Sequence, residues 1–122
     1  MARILVIDDD DTVRLSVRLA LEDADHLVED AGDGEKGVAL FRENPADLVV
    51  TDIFMPEKEG LETIDEIKRL RPETKIVAIS GGGRMDPDDY LTIAKSVGAD
   101  RSLLKPFDID NLVEVVDALL NE

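Results

Sequence analysis

The chain has 122 residues, room for one domain spanning 1–122 around one core, and 43% of them are hydrophobic while only 3% are aromatic, so that core is aliphatic. The absence of cysteine excludes disulfides and thiolate metal sites and fits a reducing cytosol. A formal charge of −15 argues against direct contact with nucleic acid, whose phosphates demand a basic patch, and suits a basic protein partner or divalent cations.

Met1-Ala2-Arg3 leads into only four apolar residues, Ile4 to Ile7, too few for a signal peptide or a membrane span. A soluble, cytoplasmic protein with no membrane role is the expectation. Arg3 to Ile7 is a continuous aliphatic run that reads as a central strand buried on both faces, and it ends in Asp8-Asp9-Asp10-Asp11. From Thr12 to Ala24 two templates compete. Val13, Leu15, Val17 and Leu19 alternate with polar residues as in a strand. The length, the absence of turn signals and the acidic N-cap candidates predict a helix instead, with Val13, Val17, Ala20, Leu21 and Ala24 on its buried face.

His26 to Asp30 reads as a short, more polar strand nearer an edge, with His26 an ordinary member of it. Gly32-Asp33-Gly34 is a turn, Glu35 to Glu43 a helix, and Asn44-Pro45-Ala46 its break. Asp47 to Thr51 is the third strand. It surfaces at Asp52, and Met55-Pro56 forbids its continuation. Leu61, Ile64, Ile67 and Leu70 then recur at helical spacing up to Arg71-Pro72. Lys75 to Ile79 is the fourth strand, closing on Ser80. A loop through Gly81-Gly82-Gly83 precedes a helix from Pro87 to Val97, stopped by Gly98. Ser102 to Leu104 is a brief fifth strand before Lys105-Pro106. The last helix, with Asp108 as N-cap, carries Ile109, Leu112, Val113, Val116, Leu119 and Leu120 on one face.

Strands alternating with helices through short connections mean parallel βα units covered on both faces, an α/β doubly wound sheet with five strands and five helices. The strands of such a sheet end at one edge, where ligands bind. Asp8, Asp9, Asp52, Ser80 and Lys105 should therefore converge. Carboxylates crowded in one crevice repel one another, and a hard divalent cation relieves that repulsion; Mg²⁺ takes one or two carboxylates, with water and substrate phosphate completing its shell. A carboxylate can also act as nucleophile and form an acyl phosphate. Lys105 would offer a compact positive charge to a phosphoryl oxygen and Ser80 a hydroxyl donor. Together these parts make a phosphoryl-acceptor site.

Ile4-Leu5-Val6-Ile7-Asp8-Asp9-Asp10, Asp52-Ile53-Phe54-Met55-Pro56, Ile79-Ser80-Gly81 and Leu104-Lys105-Pro106-Phe107 resemble the receiver domain of two-component response regulators, over essentially the whole chain. The resemblance implies a flavodoxin-like fold with strand order 2-1-3-4-5. It implies Asp52 as phospho-acceptor, with Asp8, Asp9, Asp52 and the Phe54 backbone carbonyl holding Mg²⁺ or another divalent cation such as Mn²⁺. Ser80 and Lys105 become contacts to the phosphoryl group, and the Lys105-Pro106 bond is expected to be cis. The implied partners are a histidine kinase or phosphotransfer protein, which supplies the donor histidine, and a downstream protein. That second partner would meet a surface of the fourth predicted helix, the fifth strand and the last helix. Such a domain catalyses its own phosphorylation and dephosphorylation without turning over an external substrate.

Competing readings of single residues are weaker than the constellation. Asp52 could merely cap a turn, Lys105 could be a surface lysine, and a serine ending a strand is common turn chemistry. Asp10 and Asp11 are charges favoured at a helix N-terminus, outside the site. Phe54 either shields the acyl phosphate from water or packs on the sheet edge. The chain departs from the family at Ser102, where an aromatic that couples to the Ser/Thr contact usually stands, and in the loop Gly81 to Asp86, which looks longer than typical. A phosphorylation response carried by that loop is the expectation. Asp8-Asp9-Asp10-Asp11-Thr12 also fits the Asp-x-Asp-x-Thr signature of haloacid-dehalogenase-type phosphatases, but that reading leaves Asp52 without a role. A flavodoxin-like cofactor module would place a phosphate against four aspartates, which repel it.

Overall fold

The computed structural model describes residues 2–53, 60–80 and 98–122, together with Asp89, Thr92, Lys95 and Ser96. Five strands, β1 (Arg3–Ile7), β2 (Leu27–Ala31), β3 (Leu48–Asp52), β4 (Lys75–Ser80) and β5 (Arg101–Leu104), form one parallel sheet in the order β2-β1-β3-β4-β5. Among the described residues four helices flank it: α1 (Asp11–Asp23), α2 (Gly34–Glu43), α3 (Gly60–Leu70) and α4 (Ile109–Leu120). The predicted Pro87 to Val97 helix lies largely outside the described residues, although Asp89, Thr92, Lys95 and Ser96 are helical. Gly98 follows with φ of 124°, a left-handed value that suits the glycine expected to stop that helix.

The uninterrupted apolar strands follow from having helices on both faces. Leu5, Ile7, Val49, Ile76 and Ala78 point to one side, where they meet Val38 and Phe41 of α2 and Ile64 and Ile67 of α3. Their alternates Ile4, Val6, Leu48, Val50, Val77 and Ile79 point to the other, against Val17 and Leu21 of α1 and Leu112, Val116 and Leu119 of α4. The two-residue period of a strand thus splits one hydrophobic run between two cores. All of β3 is buried, which makes it the centre of the molecule. No described helix is long and apolar enough to cross a membrane.

Local chemistry explains most element boundaries. Asp10 caps α1 by accepting from the N–H groups of Thr12 and Val13, Asp33 caps α2 through Lys36 N–H, and Asp108 caps α4 through Asp110 N–H. The strand-like alternation in α1 arises because Leu15 and Leu19, each 56% exposed, lie on its outer face while Val17 and Leu21 are buried. Leu70, expected on the buried face of α3, is likewise exposed, while Thr63 of the same helix is buried. His26 corrects the reading of β2. The strand begins at Leu27, and His26 is a half-buried bridge whose Nδ1 accepts from Ala2 N–H at 3.2 Å while its Nε2 meets Asp117 Oδ1 of α4 at 2.9 Å. With Nδ1 accepting, Nε2 carries the proton and donates it to Asp117.

Candidate functional site

The C-terminal ends of β1, β3, β4 and β5 lie along one edge of the sheet, as parallel strands require. Asp8 follows directly on β1, and its N–H continues the ladder to Ala31 O at 3.2 Å. Asp52 is the last residue of β3 and pairs with Ile79; Ser80 ends β4 one position beyond. Lys105 follows β5, and its N–H donates to Ser80 O at 2.7 Å, so the backbone sets its stem next to Ser80. The Lys105-Pro106 bond is cis.

Three of the expected side chains are in direct contact. Lys105 Nζ donates to Asp52 Oδ2 at 2.8 Å and stands 3.1 Å from Asp8 Oδ2. Asp8 and Asp52 are only 1% and 4% exposed, so this is a buried carboxylate pair joined by one ammonium group. Burial raises the Asp8 carboxyl to about 6 from its ordinary 3.8 and the neighbouring Asp52 charge adds to that, against the Asp10 N–H and Lys105, which favour the anion. Burial works against the charge on Lys105, yet the hydrogen bond to Asp52 and the charges of Asp52 and Asp8 hold its pKa above the ordinary lysine value.

Asp9 is exposed on the rim, and its carboxylate joins those of Asp8 and Asp52 in a cluster whose oxygens lie within 4.8 Å of one another. Ser80 is buried at the same edge. Phe54, expected to contribute a carbonyl, lies outside the described residues, as do Met55, Pro56 and the Gly81 to Asp86 loop. Ser102 is half-buried on β5, opposite Ala78 of β4.

The donor set fits a hard divalent cation. Its atoms are carboxylate oxygens, the ligands that Mg²⁺ and Mn²⁺ prefer. Asp8 Oδ2 is buried and, among the described residues, accepts no well-aligned hydrogen bond, even though Lys105 is at ion-pair distance. A buried carboxylate oxygen with a spare lone pair is costly unless a cation uses it.

Two supporting residues carry no signal in the spacing of the sequence. Gly60 begins α3 and donates its N–H to Ile53 O at 3.0 Å; a Cβ there would overlap the carbonyl oxygen of Asp52. Arg14 of α1 reaches back to donate to the Asp8 carbonyl oxygen at 2.8 Å.

Comparison with known proteins agrees with this arrangement. The sequence profile of the response regulator receiver domain matches residues 4–117. The chain is 35% identical to the DNA-binding transcriptional regulator NtrC of Azospirillum brasilense, covering 98% of itself but 24% of that protein. It is 30% identical to the chemotaxis protein CheY of Bacillus subtilis, covering 98% of each. A receiver domain protein from Methanospirillum hungatei superposes with a TM-score of 0.91 at 28% identity, covering 99% of this chain and 94% of that one. The chain therefore spans about a quarter of one relative and nearly all of others. The phosphatase and cofactor-module readings give way: the chain belongs to the response regulator receiver domain family.

Proposed function

We propose that the chain is a phosphorylation switch: Asp52 accepts a phosphoryl group from a phosphohistidine of a histidine kinase or phosphotransfer protein, in the cytoplasm and with Mg²⁺ or a similar cation. The observation that carries this reading is the buried pair of Asp8 and Asp52 held together by Lys105 at the sheet edge. In the transfer an Asp52 carboxylate oxygen attacks phosphorus, the phosphorus–nitrogen bond of the donor breaks, and the leaving imidazole takes the electron pair. Bound by Asp8, Asp9, Asp52 and the Phe54 carbonyl, a divalent cation would neutralise charge on the incoming phosphoryl oxygens.

The chain's own groups do the rest. Asp52 is fixed at the end of a wholly buried strand, so its carboxylate does not have to be ordered at the moment of reaction. Lys105 exchanges the carboxylate it now holds for a phosphoryl oxygen, and the Ser80 hydroxyl donates to another. Hydrolysis of the acyl phosphate resets the domain without an external substrate. The changed contacts of Ser80 and Lys105 shift the populations of the segment after β4, of β5 and of α4, where a downstream protein would dock. With Ser102 in place of an aromatic, we assign that response to the Gly81 to Asp86 loop and the segment following it.

Phosphoramidate, whose phosphorus–nitrogen bond resembles that of phosphohistidine, tests the reading. With Mg²⁺ it should give a ³¹P signal of an acyl phosphate that EDTA prevents and Asp52→Asn lacks. An acyl phosphate formed equally well in EDTA would remove the metal from the account.

A further inference from the structure

Beyond the residues that would touch metal or phosphate, Arg14 makes three contacts from one guanidinium. Nη1 donates to the carbonyl oxygen of Asp8 at 2.8 Å, Nε to Asp30 Oδ2 at 3.0 Å and Nη2 to Asp11 Oδ1 at 2.6 Å. Its side chain is 19% exposed, and its anchor is itself anchored, because Arg18 Nη1 holds the other Asp30 oxygen at 2.7 Å. A cation spent on a backbone carbonyl at the rim of an acidic pocket calls for an explanation beyond surface charge.

The Asp8 carbonyl and the Asp9 nitrogen belong to one rigid peptide plane, so fixing the carbonyl fixes the direction in which Asp9 leaves the strand. Asp10 N–H donates to Asp8 Oδ1 at 2.9 Å and sets the Asp8 side chain. Among the described residues no hydrogen bond or ion pair restrains the Asp9 carboxylate, so its approach to Asp8 and Asp52 depends on its backbone. We infer that Arg14 is a positioning residue for the divalent-cation pocket: by holding the Asp8 carbonyl it keeps the Asp8 and Asp9 carboxylates convergent. This rests on the metal reading under Proposed function and adds the residue that organises that pocket from outside.

The sign of one substitution separates positioning from charge. Removing a cation beside an acidic pocket should, by Coulomb's law alone, make Mg²⁺ bind more tightly. Losing the geometry makes it bind more weakly, and supporting contacts of this kind are worth roughly tenfold or more in metal affinity. Mg²⁺ alone is titrated calorimetrically into wild type, Arg14→Met, Arg14→Lys and Asp9→Asn, with circular dichroism to verify folding. Arg14→Met should bind Mg²⁺ roughly tenfold more weakly. Arg14→Lys keeps the charge but replaces a planar fork with a single point donor, and it should also bind severalfold more weakly; it carries the test if the methionine variant does not fold. If Asp9→Asn abolishes binding while both Arg14 variants bind as tightly as wild type or more so, the role of Arg14 is refuted and the metal pocket stands. Absence of Mg²⁺ binding by wild type overturns both.

Discussion

Lys105 Nζ lies 2.8 Å from Asp52 Oδ2 and 3.1 Å from Asp8 Oδ2, so one ammonium group ties the ends of β1, β3 and β5 together. The two carboxylates are buried, and Lys105 is a cation that meets both of them. Removing one partner of a buried ionic cluster typically costs about 3 kcal/mol. Lys105→Ala should lower stability by about that amount at pH 8 without Mg²⁺, and added Mg²⁺ should recover most of it. Urea unfolding with and without Mg²⁺ measures both; a variant as stable as wild type in EDTA would mean that the lysine is not what neutralises the pair.

Asp8 gives stability a pH dependence of unusual sign for a carboxylate. Its carboxyl titrates near 6 in the fold against 3.8 when free, so the folded state holds the proton more tightly. The corresponding stabilisation is complete below the lower value and is lost as pH rises through about 6. Asp8→Asn removes this titration. The stability of wild type relative to Asp8→Asn, both free of metal, should therefore fall by roughly 2 kcal/mol between pH 4 and pH 7. A constant difference across that range would contradict the burial of a titrating Asp8. Because Mg²⁺ and the proton compete for the same oxygens, Mg²⁺ affinity should weaken as pH drops below about 6.

Gly60 sits where α3 presses on the strand end that carries Asp52. The obstacle to a methyl group there is backbone, which cannot swing aside. Gly60→Ala should cost about 2 kcal/mol and displace Asp52. Its signature is a loss of Mg²⁺ affinity along with stability; a stability loss with unchanged Mg²⁺ binding would show that the strain is absorbed in α3.

His26 bridges Ala2 and Asp117 away from the site, at the opposite end of β2 from Asp30. His26→Ala should cost about 1–2 kcal/mol from the two lost hydrogen bonds. Mg²⁺ affinity should stay at its wild-type value. A change in Mg²⁺ affinity would mean that the two ends of the sheet are coupled.

What was legible in the sequence followed from periodicity and strand ends. Apolar runs at Ile4, Val49 and Val77 announced strands buried on both faces, and the acids, the serine and the lysine that terminate such runs fell at one sheet edge. Local pattern misjudged positions where tertiary packing decides. Leu70 has the spacing of a core residue but faces solvent, and Leu15 and Leu19 mimicked a strand from the outer face of α1. Arg14, Gly60 and the His26–Asp117 bridge were invisible for a different reason. Each acts through contacts to backbone or to a distant element, and these leave no trace in residue type or spacing.

The proposed switch stands or falls with Asp52 as its phospho-acceptor. Incubating the folded, Mg²⁺-loaded chain with a small-molecule phosphodonor, then stabilising the adduct and mapping it by mass spectrometry, tests it most directly. A single phosphoryl group on Asp52, absent from Asp52→Asn, is the predicted result. A phosphoryl group on Asp8 or another residue, or none on a wild-type chain shown to bind Mg²⁺, would contradict it.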